Sequence, residues 1–379
     1  MVNNSLLMKE TNRQKVLSLI RDESLSRADI ARGTGLSRAA VTLIVDGLIK
    51  DGLVLEGDAV RSDTGRRPTM LKIRPEAFVS IGIDVSRAGC NVAFTNFDSE
   101  ILYEMHVDFK HDANSSVKTL CERIRGVIRE RLDTSKILGV GVCCPGPIDS
   151  DRGVILNPPG LDEFYNFNIK DAICAELDLP VLLEKDTNAL AVSEKNACKL
   201  NGDLLFLLAD HGIGGGVIKD GKLFCAKGGM GCEIGHVTLK FDGERCRCGN
   251  IGCAELYASI PAILNKAERA LGERVDWQTL VKMASDNDGM ALVVMHEYAA
   301  ILATVCTGAV NLFEPDFIVL GGELKSATHI LKPEIEKRLE CSTFSRSARK
   351  VCVQKSALGE NSRAFAASEL VIENYLNGG

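Results

Sequence analysis

Val41, Ile44, Val45, Leu48 and Ile49 fall at i, i+3, i+4, i+7 and i+8, one apolar face of a helix that must be buried against a small core. Ser37 stands where an N-cap would satisfy the first free N–H groups. Gly33-Thr34-Gly35 supplies a turn ahead of it, and before that turn Ser26 and Asp29 have the spacing of a capping box. Val16, Leu17 and Ile20 give a further amphipathic helix in front. Three short helices around one core, with a Gly-containing turn before the last, make a helix-turn-helix. Leu53-Val54-Leu55 and Met70-Leu71-Lys72-Ile73 flank a turn-rich stretch through Glu56-Gly57-Asp58 and Gly65-Arg66-Arg67-Pro68, which predicts a two-stranded wing.

Such a head offers Ser37, Arg38, Ala39 and Thr42 of its third helix to base edges and phosphates of double-stranded operator DNA. Arg61, Arg66 and Arg67 of the wing suit phosphates or a narrow minor groove, where the potential is most negative. Charge agrees. Residues 1–75 carry 13 Lys and Arg against 9 Asp and Glu, a net of +4, whereas the whole chain is −6, leaving −10 on residues 76–379. A three-helix protein-interaction module is the plainer alternative, and it leaves the wing arginines unexplained.

A chain of 379 residues should hold two or three domains. Its 45% hydrophobic content and 35 glycines fit a soluble α/β protein. No secretory h-region opens the chain and no apolar run approaches the roughly 20 residues of a membrane span, so neither secretion nor membrane insertion is expected. The 14 cysteines, scattered as in Cys143-Cys144, then read as reduced thiols or metal ligands in the cytoplasm. From about Val79 the pattern is two α/β lobes, each opening with a strand and a turn of small residues. The first begins Ile81-Gly82-Ile83-Asp84-Val85; the second begins at Leu204–Leu208 with a Gly-rich turn, Gly212-Ile213-Gly214-Gly215-Gly216. Lobes of this kind can close on a ligand by hinge motion.

The sharpest chemical signal is His236-x9-Cys246-x-Cys248-x4-Cys253. Three thiolates and one imidazole give tetrahedral ligation that suits zinc, with no open coordination position, so a structural Zn2+ is expected. Three reduced cysteines on a loop are the alternative.

Gly231-Cys232-Glu233-Ile234-Gly235-His236 and the run from Cys246 to Glu255 resemble the signature of the ROK family (repressors, open reading frames and kinases). Together with Ser26-Arg27-Ala28-Asp29-Ile30-Ala31 and the wing, they resemble its repressor branch, the NagC/Mlc/XylR type. The resemblance implies a two-lobed actin/hexokinase-like (ribonuclease H-like) body, a zinc site, a sugar or sugar-derivative effector and a homodimer or homotetramer. It further implies that Glu233, His236 and Glu255 bind sugar hydroxyls, with Asn157 a further contact. Asp186 corresponds to the general base of the family's kinases. The chemistry is reasonable, because a carboxylate can accept from two neighbouring hydroxyls. His236 could bind zinc through one ring nitrogen and a sugar through the other.

The departures bear on catalysis. Family kinases open with Asp-x-Gly-x-Thr, where this chain has Asp84-Val85-Ser86-Arg87-Ala88; the second phosphate turn begins Asp210-His211-Gly212 in place of Gly-Thr-Gly. Bulk and negative charge in phosphate loops undermine phosphoryl transfer, so no kinase activity is expected. Lys185 replaces the usual Asn before Asp186, which could pair that Asp or favour a phosphorylated or acidic sugar. The expected division is a winged helix-turn-helix at 1–75, a first lobe at 76–200 and a second lobe with the zinc site at 201–379, the last helix being free to return to the first lobe. The reading is a sugar-modulated transcriptional repressor. The alternatives are an ATP-dependent sugar kinase with an appended DNA-binding head, and a regulator answering to a protein partner or to redox.

Overall fold

The computed structural model describes residues 2–59, 69–110, 112–224, 227–345, 347–348, 350–359 and 362–378. In the head, helix α1 (Val2–Asp22) leads to a two-residue strand β1 (Leu25–Ser26), then α2 (Arg27–Thr34), α3 (Arg38–Lys50), β2 (Val54–Ala59) and β3 (Thr69–Ile73). Ser26 caps α2 and closes a reciprocal capping box with Asp29, and Ser37 caps α3 by accepting from the Ala40 N–H. Gly35 ends α2 at φ 73°, which a residue without Cβ adopts at little cost. β2 and β3 pair antiparallel, Val54 opposite Ile73. β1 adds a third strand opposite Leu71 and Met70, too short to show a period in sequence. The expected tip of the wing, with Arg61, Arg66 and Arg67, lies outside the described residues.

The chain divides into two units, Met1–Asp186 with Asn361–Gly379, and Thr187–Glu360. The first continues through β4 (Val79–Ser86), β5 (Gly89–Asn96), β6 (Ile101–Val107), α4 (Ala113–Arg131) and β7 (Ile137–Cys144). Short strands β8 (Ile148–Asp149), β9 (Val154–Ile155) and β10 (Phe167–Asn168) follow, then α5 (Ile169–Leu177) and β11 (Val181–Lys185). The main sheet runs β11-β7-β4-β5-β6, with β4 to β6 an antiparallel meander and β7 and β11 parallel to β4.

The second unit holds most of α6 (Asp186–Cys198), then β12 (Leu204–Ala209), β13 (Ile213–Lys219), β14 (Lys222–Leu223), α7 (Glu255–Ala258), α8 (Ile260–Leu271), α9 (Trp277–Ser285), α10 (Gly289–Phe313), β15 (Phe317–Gly322), α11 (Leu324–Ser342) and β16 (Cys352–Lys355). Its sheet runs β14-β13-β12-β15-β16, antiparallel from β12 to β14 and parallel from β12 to β16. Strand for strand this repeats the order and senses of the first sheet. A twice-used meander with two parallel additions is the actin/hexokinase-like body.

Two expectations need correction. Gly214-Gly215-Gly216 are not a turn: they lie within β13, opposite Leu208, Leu207 and Phe206. Side chains there would strike Thr187 at the start of α6 and Ile234, so the glycines serve packing on both faces of the strand. Also, α10 is long and apolar enough by composition to cross a membrane, a run overlooked because His296 and Glu297 interrupt it. Half of its most apolar stretch is buried within the unit, where it packs against α8, α9 and α11.

The last helix, α12 (Ser362–Asn377), belongs to the first unit. It lies on β4 and β7, where a Cβ on Gly82 or Gly141 would overlap the carbonyl oxygens of Ala364 and Ala367. Its far end enters the core of the head: Ile372 and Leu376 pack with Val16, Leu17, Ile20, Val41, Val45 and Leu48. Arg21 of α1 reaches Glu369 of α12 at 2.6 Å, both side chains buried. Removing one partner of a buried ion pair costs about 3–5 kcal/mol when the other is left uncompensated. Arg21 also donates to Ser99 Oγ at 2.7 Å and stands 3.9 Å from Glu373, so Glu369→Ala is expected to lower stability by about 2–3 kcal/mol, below that full cost, in urea unfolding. A loss below about 1 kcal/mol, the scale of an exposed pair, would show that the pair does not hold the head.

Candidate functional site

The four expected metal donors converge. One ligand atom from each of His236, Cys246, Cys248 and Cys253 lies within 4.8 Å of the others, and no other described His, Cys, Asp or Glu residues form such a group. Cys248 Sγ is 3.6 Å from Cys253 Sγ, and Cys246 Sγ is 3.8 Å from His236 Nδ1. Tetrahedral coordination with metal–sulfur bonds near 2.3 Å places sulfurs about 3.8 Å apart, so the donors are already close to the edges such an ion requires. The loop is held by its backbone. Thr238 and Cys253 form a bridge, as do Arg245 and Ile251, and Cys246 N–H donates to Asn250 O at 2.8 Å. Gly252, at φ 65°, packs so tightly on the Lys240 carbonyl that any Cβ would overlap it.

Asn250 is a residue that sequence reasoning passed over. Its Nδ2 donates to the His236 carbonyl at 3.1 Å and to Thr238 Oγ1 at 3.0 Å, which ties the histidine segment to the cysteine loop. Its only signal was a polar residue lying between two ligands. The thiols are unequal: the Asn250 backbone N–H holds Cys248 below the ordinary thiol value, while burial pushes Cys253 up to about 12. A bound cation would draw both to thiolate, which makes metal binding proton-releasing.

His236 ends a single 3-10 turn, Ile234–His236, that Glu233 precedes. That turn lies directly on β13, for a Cβ on Gly235 would overlap Ile213 O. Glu255 opens α7, and its Oε2 would be 2.6 Å from a Cβ on Gly212. Glu255 therefore sits on the turn Asp210-His211-Gly212. Glu323 adds to the negative charge near this turn: burial, then the Asp210 carboxylate, raises its pKa above the usual value.

In the first unit Asp186 is buried at the start of α6, and Arg363 Nε of α12 stands 3.5 Å from its Oδ2. The expected role of Lys185 as a partner for Asp186 thus meets a second cation that no local reading could supply, 177 positions away. Asn157 is exposed on its loop. Arg87 donates from Nε to Pro159 O of that loop at 3.0 Å and covers Gly160. The β4–β5 turn is closed by Ser86 Oγ donating to Gly89 O. Asp84 is buried and accepts from Asn91 Nδ2 at 3.2 Å.

On the head, Ser37, Arg38, Ala39 and Thr42 lie exposed on one side of α3, where the sequence places them. Both hydroxyls have local partners: Ser37 Oγ accepts from Ala40 N–H, and Thr42 Oγ1 donates to Arg38 O. Leu43, also exposed, was missed because it falls off the apolar face that signals the helix.

Cys248→Ser removes one of the four donors and leaves the fold's core untouched. It is expected to purify with less than one equivalent of metal, by elemental analysis, where the parent chain holds a full one. Full occupancy in the variant would exclude Cys248 as a ligand.

The ROK family pattern matches residues 80–374. The chain is 28% identical to the xylose repressor of Bacillus subtilis over 380 residues, covering 99% of this chain and 96% of that one. It is 29% identical to the DNA-binding transcriptional dual regulator NagC of Escherichia coli over 394 residues, covering 100% and 96%. A crystallised ROK family transcriptional regulator, a homologue of the E. coli Mlc protein, superposes with a TM-score of 0.84 at 24% identity, covering 98% of this chain and 97% of its own. The chain belongs to the ROK family.

Proposed function

We propose that the chain is a transcriptional repressor of sugar-utilisation genes whose operator affinity is set by a sugar or sugar derivative. The observation that carries this reading is a helix-turn-helix head sharing one apolar core with a ROK body. The xylose repressor and NagC, similar along nearly their whole lengths, support it. The parts are the head at 1–75 and lobes at 76–200 and 201–379, working as a homodimer or homotetramer on double-stranded DNA in the cytoplasm. Two heads at fixed spacing match a palindromic operator.

The metal is zinc, because three thiolates and an imidazole in tetrahedral array select it. Its place is structural. His236 binds it through Nδ1, the nitrogen nearest Cys246, which leaves Nε2–H to donate to a sugar hydroxyl. Glu233 and Glu255 accept from hydroxyls, and Asn157 and Asp186 complete the contact residues. Arg363 beside Asp186 favours a hydroxyl acceptor over a general base. The bulky Arg87 in the first phosphate turn, bonded to Pro159 O, and the acidic Asp210 and Glu323 at the second speak against ATP. The chain is on this account not a kinase.

A sugar that couples to DNA binding by about 1–3 kcal/mol changes operator affinity by about 5- to 150-fold. Fluorescence titration of operator DNA with and without a panel of pentoses, hexoses, amino sugars and their phosphates is expected to reveal one such sugar. No change across the panel would contradict the reading. Sugar-dependent ADP release near 1 per second, an ordinary kinase rate, would replace it with a kinase.

A further inference from the structure

The head's reading surface is more apolar than its sequence suggests, which narrows the kind of DNA it can discriminate. On α3 the exposed residues are Arg38, Ala39, Thr42, Leu43, Asp46 and Lys50. Ser37 Oγ is turned to its own helix as the N-cap, accepting from the Ala40 N–H at 3.2 Å. Thr42 Oγ1 donates to Arg38 O at 2.9 Å, so its hydroxyl proton is engaged on the helix itself. Asp46 is held back by Arg27, which grips it at 2.9 Å and Glu56 of β2 at 2.7 Å with its other nitrogen. What remains at i, i+3 and i+4 is Ala39, Thr42 and Leu43, with Leu43 76% exposed. A large apolar side chain held in water midway along a recognition helix, behind a first-turn arginine and within a head of net charge +4, faces a partner rich in phosphate.

We propose that Leu43, with the methyl groups of Ala39 and Thr42, recognises the C5-methyl groups of thymines in the major groove. Thymine alone among the four bases presents an apolar group there. This inference rests on the DNA-binding reading of the head. It assigns base discrimination chiefly to methyl contact, with Arg38 and the Ser37 O–H as the hydrogen-bond donors left among the expected α3 contacts. A protein ligand for the same strip would leave the methyl groups of DNA without effect.

The test uses the full zinc-loaded chain and duplexes enriched by it from a random-sequence pool. Each thymine in the enriched site is replaced in turn by deoxyuridine, which removes one methyl and nothing else. Burial of one such carbon corresponds to about a fourfold change in affinity. The parent chain is expected to lose about that factor at one or two positions in each half-site. Leu43→Gln, similar in size and helix propensity, is expected to lose most of the preference for thymine over uracil while keeping its dependence on salt, since the methyl groups of Ala39 and Thr42 and the phosphate contacts are untouched. Should Leu43→Gln melt early, Leu43→Ala carries the same comparison. Indifference of the parent to every replacement, or undiminished methyl sensitivity in both variants, overturns the proposal. Failure of any sequence to enrich overturns the DNA-binding reading with it, whereas enrichment without methyl dependence removes this inference alone.

Discussion

Helix α12 can lie flat on β4 and β7 only because Gly82 and Gly141 carry no side chain, and that contact supports the rest of the first unit. From it the helix projects Ile372 and Leu376 into the head and sets Glu369 against Arg21. Ser368 Oγ donates to Thr95 Oγ1 at 2.7 Å, and Tyr375 packs edge-on against Phe78 and Phe97 at 5.1 and 6.0 Å. The head is thus seated by side chains of the body and not merely tethered. At the other end of the helix, Arg363 meets Asp186, and the Cys143 thiol donates to the Arg363 carbonyl. A 16-residue helix spans about 24 Å. One rigid element therefore touches both a proposed sugar-contacting carboxylate and the core that carries α3.

The second unit has a different organiser. Its cysteine loop contains no regular strand or helix, and its shape is kept by two isolated bridges, Asn250 and the donor cluster. An ion held by the four donors would cross-link a loop that has so little regular structure of its own. Because His236 belongs both to that cluster and to the turn lying on β13, the cluster fixes where the histidine ring stands.

Much of this was legible in the chain wherever the signal is periodic or local. The face from Val41 to Ile49, the capping box at Ser26 and Asp29, and the His-Cys spacing each depend on residues within a few turns of one another, and each formed as read. What was not legible is pairing across distance. Nothing near Asp186 announces Arg363, and nothing near Arg21 announces Glu369. The glycines at 214–216 misled because a run of Gly resembles a turn, while here Thr187 and Ile234 crowd a strand from both faces. Leu43 was invisible for the opposite reason: an apolar residue off the helical stripe reads as noise until its exposure is known.

Coupling between effector and DNA must be reciprocal if it exists at all. The most direct measurement is therefore the calorimetric affinity of the active sugar for the zinc-loaded protein, free and saturated with operator. The account predicts that DNA weakens sugar binding by the same factor by which the sugar weakens DNA binding. Equal sugar affinities in the two states would contradict it, whatever else the protein binds.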